Sequence, residues 1–383
     1  MTRTLFLAVV LASSVWMRAA EQFKPLFNGR DLSGWTNVNC APETWTAHGD
    51  TIRCTGFPTG ALRTERMYEN FILEMEWRHL KAGGNAGVFV WAGPIGAQGV
   101  PFLRAVEVQV LDHGYITPNL NKSYTTHGDV FPIHGSTMTP FPPSRGMRSF
   151  PSERHGKASP EWNHYRVEAR DGTLWLWVNG HKVSGGEKCH WRKGYLALES
   201  EGAPVEFRNV RLRELPSSGA RADETADEFA GHRSLYTGTD LRGWEEQGEK
   251  RWRADDWRLV HSGGSGRSEL RSTQRFGNFE LIVDCKPTEQ VGGLDGIRLP
   301  GGAFVSFAML LPGGGAGDEV LNKASHGFHR LIILARGGSA TVQINGRQVS
   351  TLKSPKAGGE GRISLIGEAG SFELSGLYVR ELP

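Results

Sequence analysis

Along residues 71–78 the apolar side chains Phe71, Leu73, Met75 and Trp77 occupy alternate positions, with Glu74, Glu76 and Arg78 between and after them. A period of two marks a strand with one face in a core. Phe279, Leu281, Val283 and Cys285 repeat the phase, which gives Cys285 the buried apolar place held by Trp77. In residues 104–113, Val106, Val108 and Val110 supply a core face and set Glu107 and Gln109 together on the opposite one. Asp112 belongs with the valines in a regular strand; a one-residue bulge would return it to the side of Glu107 and Gln109. Asn179-Gly180 and Asn345-Gly346 each sit between apolar runs, a strong hairpin signal. No long stretch carries helical periodicity. Many short strands with regular turn punctuation predict antiparallel sandwiches.

The pattern occurs twice. LFNGRDLSGW at 26–35 returns as LYTGTDLRGW at 235–244, VNG at 178–180 as ING at 344–346, and VRLREL at 210–215 as LYVREL at 377–382. The offset falls from 209 to 167, so the second copy is shorter by 42 residues. The expected organisation is a leader at 1–20, a sandwich at 21–216, a linker at 217–233 and a degenerate second sandwich at 234–383. Scaffold should be common to both copies, and a functional site should be confined to the first.

Composition changes this picture little. The 44 basic and 41 acidic side chains are scattered, with no basic stripe, so nucleic acid is not an expected partner. A short basic start and an apolar run to Trp16 read as an export signal, too short to span a bilayer. No later segment is apolar enough to cross a membrane, which predicts a periplasmic or secreted protein. Of the four cysteines, Cys40 and Cys54 are the expected pair if a disulfide forms.

Candidate chemistry follows from the differences between copies. Aligning 303–311 with 104–112 places Ser306 at Glu107, Ala308 at Gln109 and Leu311 at Asp112. The core face persists and the polar face is erased. LESEG at 198–202 becomes LIGEA, which turns Glu199 into Ile366 but keeps an acid, Glu368, at Glu201; Asn85 becomes Leu294. Glu199 is therefore the stronger candidate of the two glutamates. An insertion confined to the first copy carries His127, Asp129 and His134, able to act as acids or bases. With Asp112 or His113 they could also hold a divalent metal, although no standard ligand spacing is present. Trp175 and Trp177 share a face and could stack on a sugar or pack against the other sandwich.

The LFNGxDLxGW start, NAGVF at 85–89, EVQVLD at 107–112, EWN at 161–163, VNG at 178–180 and FRNVR at 207–211 resemble the 3-keto-disaccharide hydrolase domain family. The resemblance covers residues 22–215 and continues weakly over 234–383. It implies a concanavalin A-like jelly-roll fold, all-β, in two tandem domains. It also implies cleavage of glycosides already oxidised to a ketone at C3. The ketone acidifies the C2 proton, so elimination of the C1 substituent and hydration give net hydrolysis. Such a site needs a base, an acid and an enolate stabiliser. Glu107, Asp112 and His127 are the catalytic candidates; Asn85, Gln109, His134 and Glu199 would hold the sugar. The alternatives are a non-catalytic carbohydrate-binding protein and a conventional glycosidase with two carboxylates about 5 to 9.5 Å apart. The second copy should be removable without loss of chemistry, unless its surface closes the cleft.

Overall fold

The computed structural model describes residues 22–115, 127–289, 291–354 and 359–383. The expected leader, and residues 116–126 of the insertion, lie outside them. The chain is all-β and forms two jelly-roll sandwiches in tandem, each made of two antiparallel sheets. One short α-helix, Asp318–Leu321, occurs among the described residues.

In the first sandwich one sheet runs, in order, Thr137–Pro140, His181–His190, Thr173–Val178, Asn163–Arg170, Phe71–His79, Val205–Glu214, Thr51–Cys54 and Trp45–His48. The facing sheet carries Ser144–Arg145, Arg148–Ser149, Val130–Ile133, Ala105–Leu111, Asn85–Ala92, Tyr195–Ser200, Gly60–Thr64 and Trp35–Val38. The second sandwich repeats this order, with Gly296–Arg298 and Phe304–Ser306 much shorter than their counterparts Asn85–Ala92 and Ala105–Leu111. Around Phe279–Glu289 lie Ser371–Glu381 and His329–Arg336, as Val205–Glu214 and Asn163–Arg170 flank Phe71–His79. Its smaller sheet ends at Phe304–Ser306, the place of Ala105–Leu111, with nothing paired beyond it among the described residues.

The alternation explains both cores. Phe71, Leu73, Met75 and Trp77 are buried between the sheets with Val106, Val108 and Val110. Each such side chain contributes about 1.5–3 kcal/mol on full burial. Cys285 occupies the matching core position of the second sandwich. At the predicted hairpins Asn179 and Gly180 have φ of 49° and 90°, the left-handed pair that a two-residue turn requires. All four cysteines are buried free thiols, which corrects the expected Cys40–Cys54 disulfide. Burial raises both thiols, Cys54 to about 11. Trp175 stacks at 4.0 Å on Phe141, from the first sandwich's own insertion.

The stretch read as a linker is laid down on the first sandwich. Ser217, Ser218 and Ala220 donate to the Glu69 carboxylate, and the Phe229 ring covers the Arg63 guanidinium at 4.6 Å. The second sandwich grips the loop 93–104. The buried Asp284 accepts from Gly99 N at 2.9 Å and from both Nε and Nη2 of Arg330, whose Nη2 also donates to Gly96 O. Tyr378 Oη accepts from Gly96 N at 3.0 Å and donates to Asn39. A Cβ on Gly99 would come within 2.6 Å of Ser325 O, so the approach needs glycine there.

Candidate functional site

Three neighbouring strands of the smaller sheet build a carboxyl cluster on the face turned away from the core. Gln109 lies opposite Gly87 and Glu107 opposite Phe89 in the ladder between Ala105–Leu111 and Asn85–Ala92. On the other side Leu198 pairs with Val88, which sets Glu199 beside Gly87. Gly87 is the floor. A Cβ there would stand 2.8 Å from Glu199 Oε2 and 2.9 Å from Glu107 Oε1, so the two carboxyl groups meet over a residue that must lack a side chain.

Glu201 joins them. A bridge between Asn85 and Gly202 carries the end of the strand across, and Asn85 Nδ2 donates to Glu201 Oε2. Gln109 Nε2 in turn donates to Asn85 Oδ1 at 2.7 Å and to Ala86 O at 3.2 Å. Glu107 and Glu199 are 6% and 2% exposed. Burial, then the charge of Glu201, raises the Glu107 carboxyl to about 8, although Arg148 pulls the other way. Burial, then the charges of Glu107 and Glu201, pushes Glu199 well above the usual carboxyl range. Burial lifts Glu201 to about 7 against the Asn85 hydrogen bond. Glu199 Oε2 makes no hydrogen bond among the described residues. Like charges crowded in a dry site cannot all ionise, so the cluster retains protons at neutral pH.

Arg148 closes one side. Its Nη1 donates to the fully buried Asp129 at 2.8 Å, and its guanidinium lies 3.3 Å over the Phe131 ring, opposite Glu107 in the next strand. Glu201 and Arg148 were not singled out by the sequence. Glu201 was set aside because the second copy also has an acid there, and Arg148 sits in an insertion without periodicity.

Three sequence candidates do not reach this cluster. No bulge interrupts the pairing of Ala105–Leu111 with Asn85–Ala92, so Asp112 stays on the core side at the sheet's end. Its carboxylate accepts from Gly83 N, Gly114 N and Ser159 N. Burial raises that carboxyl, but the three amide hydrogens more than offset it and leave it below the usual range. His127 accepts from Gly156 N through Nε2 at 2.9 Å and stacks on His113. His134 faces an inter-sandwich cavity of about 370 Å³ lined also by Arg104, Trp191 and Ile332. Burial, and then His326, lowers its imidazole to about 4. His127, Asp129, His134, Asp112 and His113 do not converge as a metal centre. Among the described residues the one trio close enough to share an ion is Glu153, His155 and His181.

The second sandwich fills the same place with hydrocarbon, in a register that corrects the sequence alignment. Ile297 pairs with Leu365 as Val88 pairs with Leu198, so Gly296 is the counterpart of Gly87. Gly296 faces Ser306 and Arg298 faces Phe304. Ser306 thus answers Gln109 and Phe304 answers Glu107, two residues from the expected matches. A Cβ on Gly296 would meet the Phe304 ring at 2.9 Å, where the first sandwich has its carboxyl groups.

The family described as 3-keto-alpha-glucoside-1,2-lyase-like domain matches residues 22–213. A 3-keto-disaccharide hydrolase of Bacteroides thetaiotaomicron is 22% identical over 249 residues, spanning 51% of this chain and 79% of that protein. A Parabacteroides distasonis structure, assigned provisionally as a glycosyl hydrolase, is 21% identical with a TM-score of 0.40, covering 52% of this chain and 96% of its own. The carbohydrate-binding module CBM66 from Bacillus subtilis is 13% identical with a TM-score of 0.35, covering 49% and 98%.

Proposed function

The chain belongs to the 3-keto-alpha-glucoside-1,2-lyase-like domain family, and from that premise we propose that its first sandwich cleaves 3-keto-glycosides by elimination and rehydration at the Glu107–Glu199–Glu201 cluster. The observation that carries the reading is the meeting of these carboxyl groups over Gly87, with Glu201 near 7 and Glu107 near 8. Such a pair supplies a base and an acid together at neutral pH.

Glu201, positioned by Asn85, takes the C2 proton. The C2–H electron pair moves into the C2–C3 bond and the ketone becomes an enolate, next to the Arg148 charge. Collapse of the enolate forms the C1–C2 double bond and breaks the bond from C1 to the leaving oxygen. The protonated Glu107 delivers its proton to that oxygen. Water then adds at C1, giving one of its protons to the Glu107 carboxylate, while Glu201 returns its proton to C2, which gives net hydrolysis and restores both groups. Glu199, held neutral beneath them by burial and by its acidic neighbours, adds no further negative charge. Gln109 holds Asn85 in place. Export belongs to the same proposal and rests on the leader pattern at 1–20.

The test is release of a chromogenic leaving group from a 3-keto-glucoside, measured beside the unoxidised glucoside. Release confined to the keto substrate, and lost in Glu201→Gln, supports the proposal. Sugar binding without turnover across several linkages would replace it with the carbohydrate-binding reading. Equal release from the unoxidised glucoside would replace it with conventional glycosidase chemistry.

A further inference from the structure

Away from the carboxyl cluster, the first sandwich carries a compact group of nitrogen and oxygen donors on its surface. Glu153, His155 and His181 each present a ligand atom, and these atoms lie within 4.8 Å of one another. The His155 and His181 rings are stacked, 3.7 Å between centroids and 5° from parallel. His155 Nε2 and Glu153 Oε2 are 2.7 Å apart. The two segments come from different places in the chain. Glu153 and His155 belong to the insertion, and His181 opens the strand after the Asn179-Gly180 turn. Lys182, its neighbour, faces the other way, with its ammonium 4.0 Å over the Trp175 ring.

We propose that Glu153, His155 and His181 bind one divalent transition-metal ion of the zinc class. Two imidazoles and a carboxylate suit that class, whereas calcium and magnesium select oxygen donors. Tetrahedral ligands at about 2.1 Å stand about 3.4 Å apart. A ring nitrogen donates in the plane of its ring, so binding requires the two stacked imidazoles to tilt apart until both lone pairs converge on the ion. The side chains that rearrange are exposed or half-exposed. The remaining coordination positions face solvent.

The ion would act as a clasp. Residues 155–159 are already tied inward: His155 O accepts from Asn179 Nδ2, Gly156 N donates to His127, and Ser159 N donates to Asp112. A bond from the metal to His181 would fasten this stretch to the hairpin at its outer edge. The clasp is independent of the proposed sugar chemistry, because it neither uses nor touches the carboxyl cluster.

The experiment is titration of the full chain, free of any histidine tag, with Zn²⁺ by calorimetry and with Co²⁺ by visible absorption. The expected result is one ion per chain and a cobalt ligand-field band. His155→Ala and His181→Ala should each weaken binding by more than about tenfold, and calcium should not compete. His181→Asn, at an exposed turn, serves if the His155 variant fails to fold. Zinc should also slow tryptic cleavage after Arg154 and Lys157 severalfold. Absence of binding overturns the proposal, as does binding that survives both histidine variants unchanged.

Discussion

Gly87 and Gly296 stand at the same place in two sandwiches of the same strand order, and what surrounds them differs completely. Over Gly87 two buried carboxyl groups meet; over Gly296 the ring of Phe304 lies flush with the sheet. Both glycines are required by close packing, but one leaves room for charged groups in a dry environment and the other for hydrocarbon. Holding several carboxyl groups out of water opposes folding. At the matching place the second sandwich has no such load, with Ile366 where the first has Glu199. A glycine shared by both is scaffold, and the difference in its neighbours is where the proposed chemistry would reside.

The comparison can be broken most directly by kinetics. Glu107→Gln and Glu201→Gln should each lower kcat/KM on a 3-keto-glucoside by about 100- to 10,000-fold, the range for loss of a general acid or base. Glu368→Gln, at the matching position of the second sandwich, should leave it unchanged. Equal losses in all three would place chemistry in both sandwiches. Asp284→Ala tests whether the second sandwich matters structurally. Stranding Arg330 should cost about 3–5 kcal/mol, read as a lowered melting temperature. An unchanged melting curve would mean that the loop 93–104 is held some other way.

The glycines give a finer separation. Gly87→Ala should abolish turnover in a folded protein, because the methyl group displaces carboxyl groups at the ends of flexible side chains. Gly296→Ala should instead lower the melting temperature, because its methyl meets Val305 O at 2.1 Å, a backbone atom. The smallest effects are those of pH. With Glu201 near 7 and Glu107 near 8, kcat/KM should rise through the first value and fall through the second. For stability the sign is the reverse of an ordinary ion-paired carboxylate. A folded-state pKa raised above that of the unfolded chain gives stability that is fully present below the ordinary carboxyl range. It is lost as pH climbs through about 7 to 8. Glu199→Gln should therefore raise the melting temperature at pH 9 more than at pH 5, at about 2–4 °C per kcal/mol.

The strands were legible because alternation is a local property. Phe71 to Trp77 and the three valines at 106, 108 and 110 declare their core face without reference to the rest of the chain. The same alternation put Glu107 and Gln109 side by side, and the comparison of the two copies made Glu199 a candidate. It also hid the register. A shift of two residues preserves every inward and outward assignment, so the pattern could not distinguish Ser306 from Phe304 as the partner of Glu107. Glu201 was missed because subtracting one copy from the other discards any acid that both retain. Its role depends on the bridge that brings Gly202 to Asn85, a contact without a sequence signature. Asp112 was placed by a bulge that the ladder does not contain, and the insertion histidines by residue type alone. Hydrogen bonding to Gly83, Gly114, Ser159 and Gly156 decides what Asp112 and His127 face, and those amides lie in loops that periodicity does not describe.

The hold of Asp284, Arg330 and Tyr378 on the loop 93–104 bears on how such a chain can change over generations. If the proposed chemistry belongs to the first sandwich, the second is released from selection on that chemistry, having no matching carboxyl cluster among the described residues. Its contact surface still meets the first. Substitutions on the outward face of its smaller sheet should be tolerated more readily than those on the gripping face or in its core. A truncation after residue 233 would expose the loop and mimic a catalytic defect, although every reacting group would still be present.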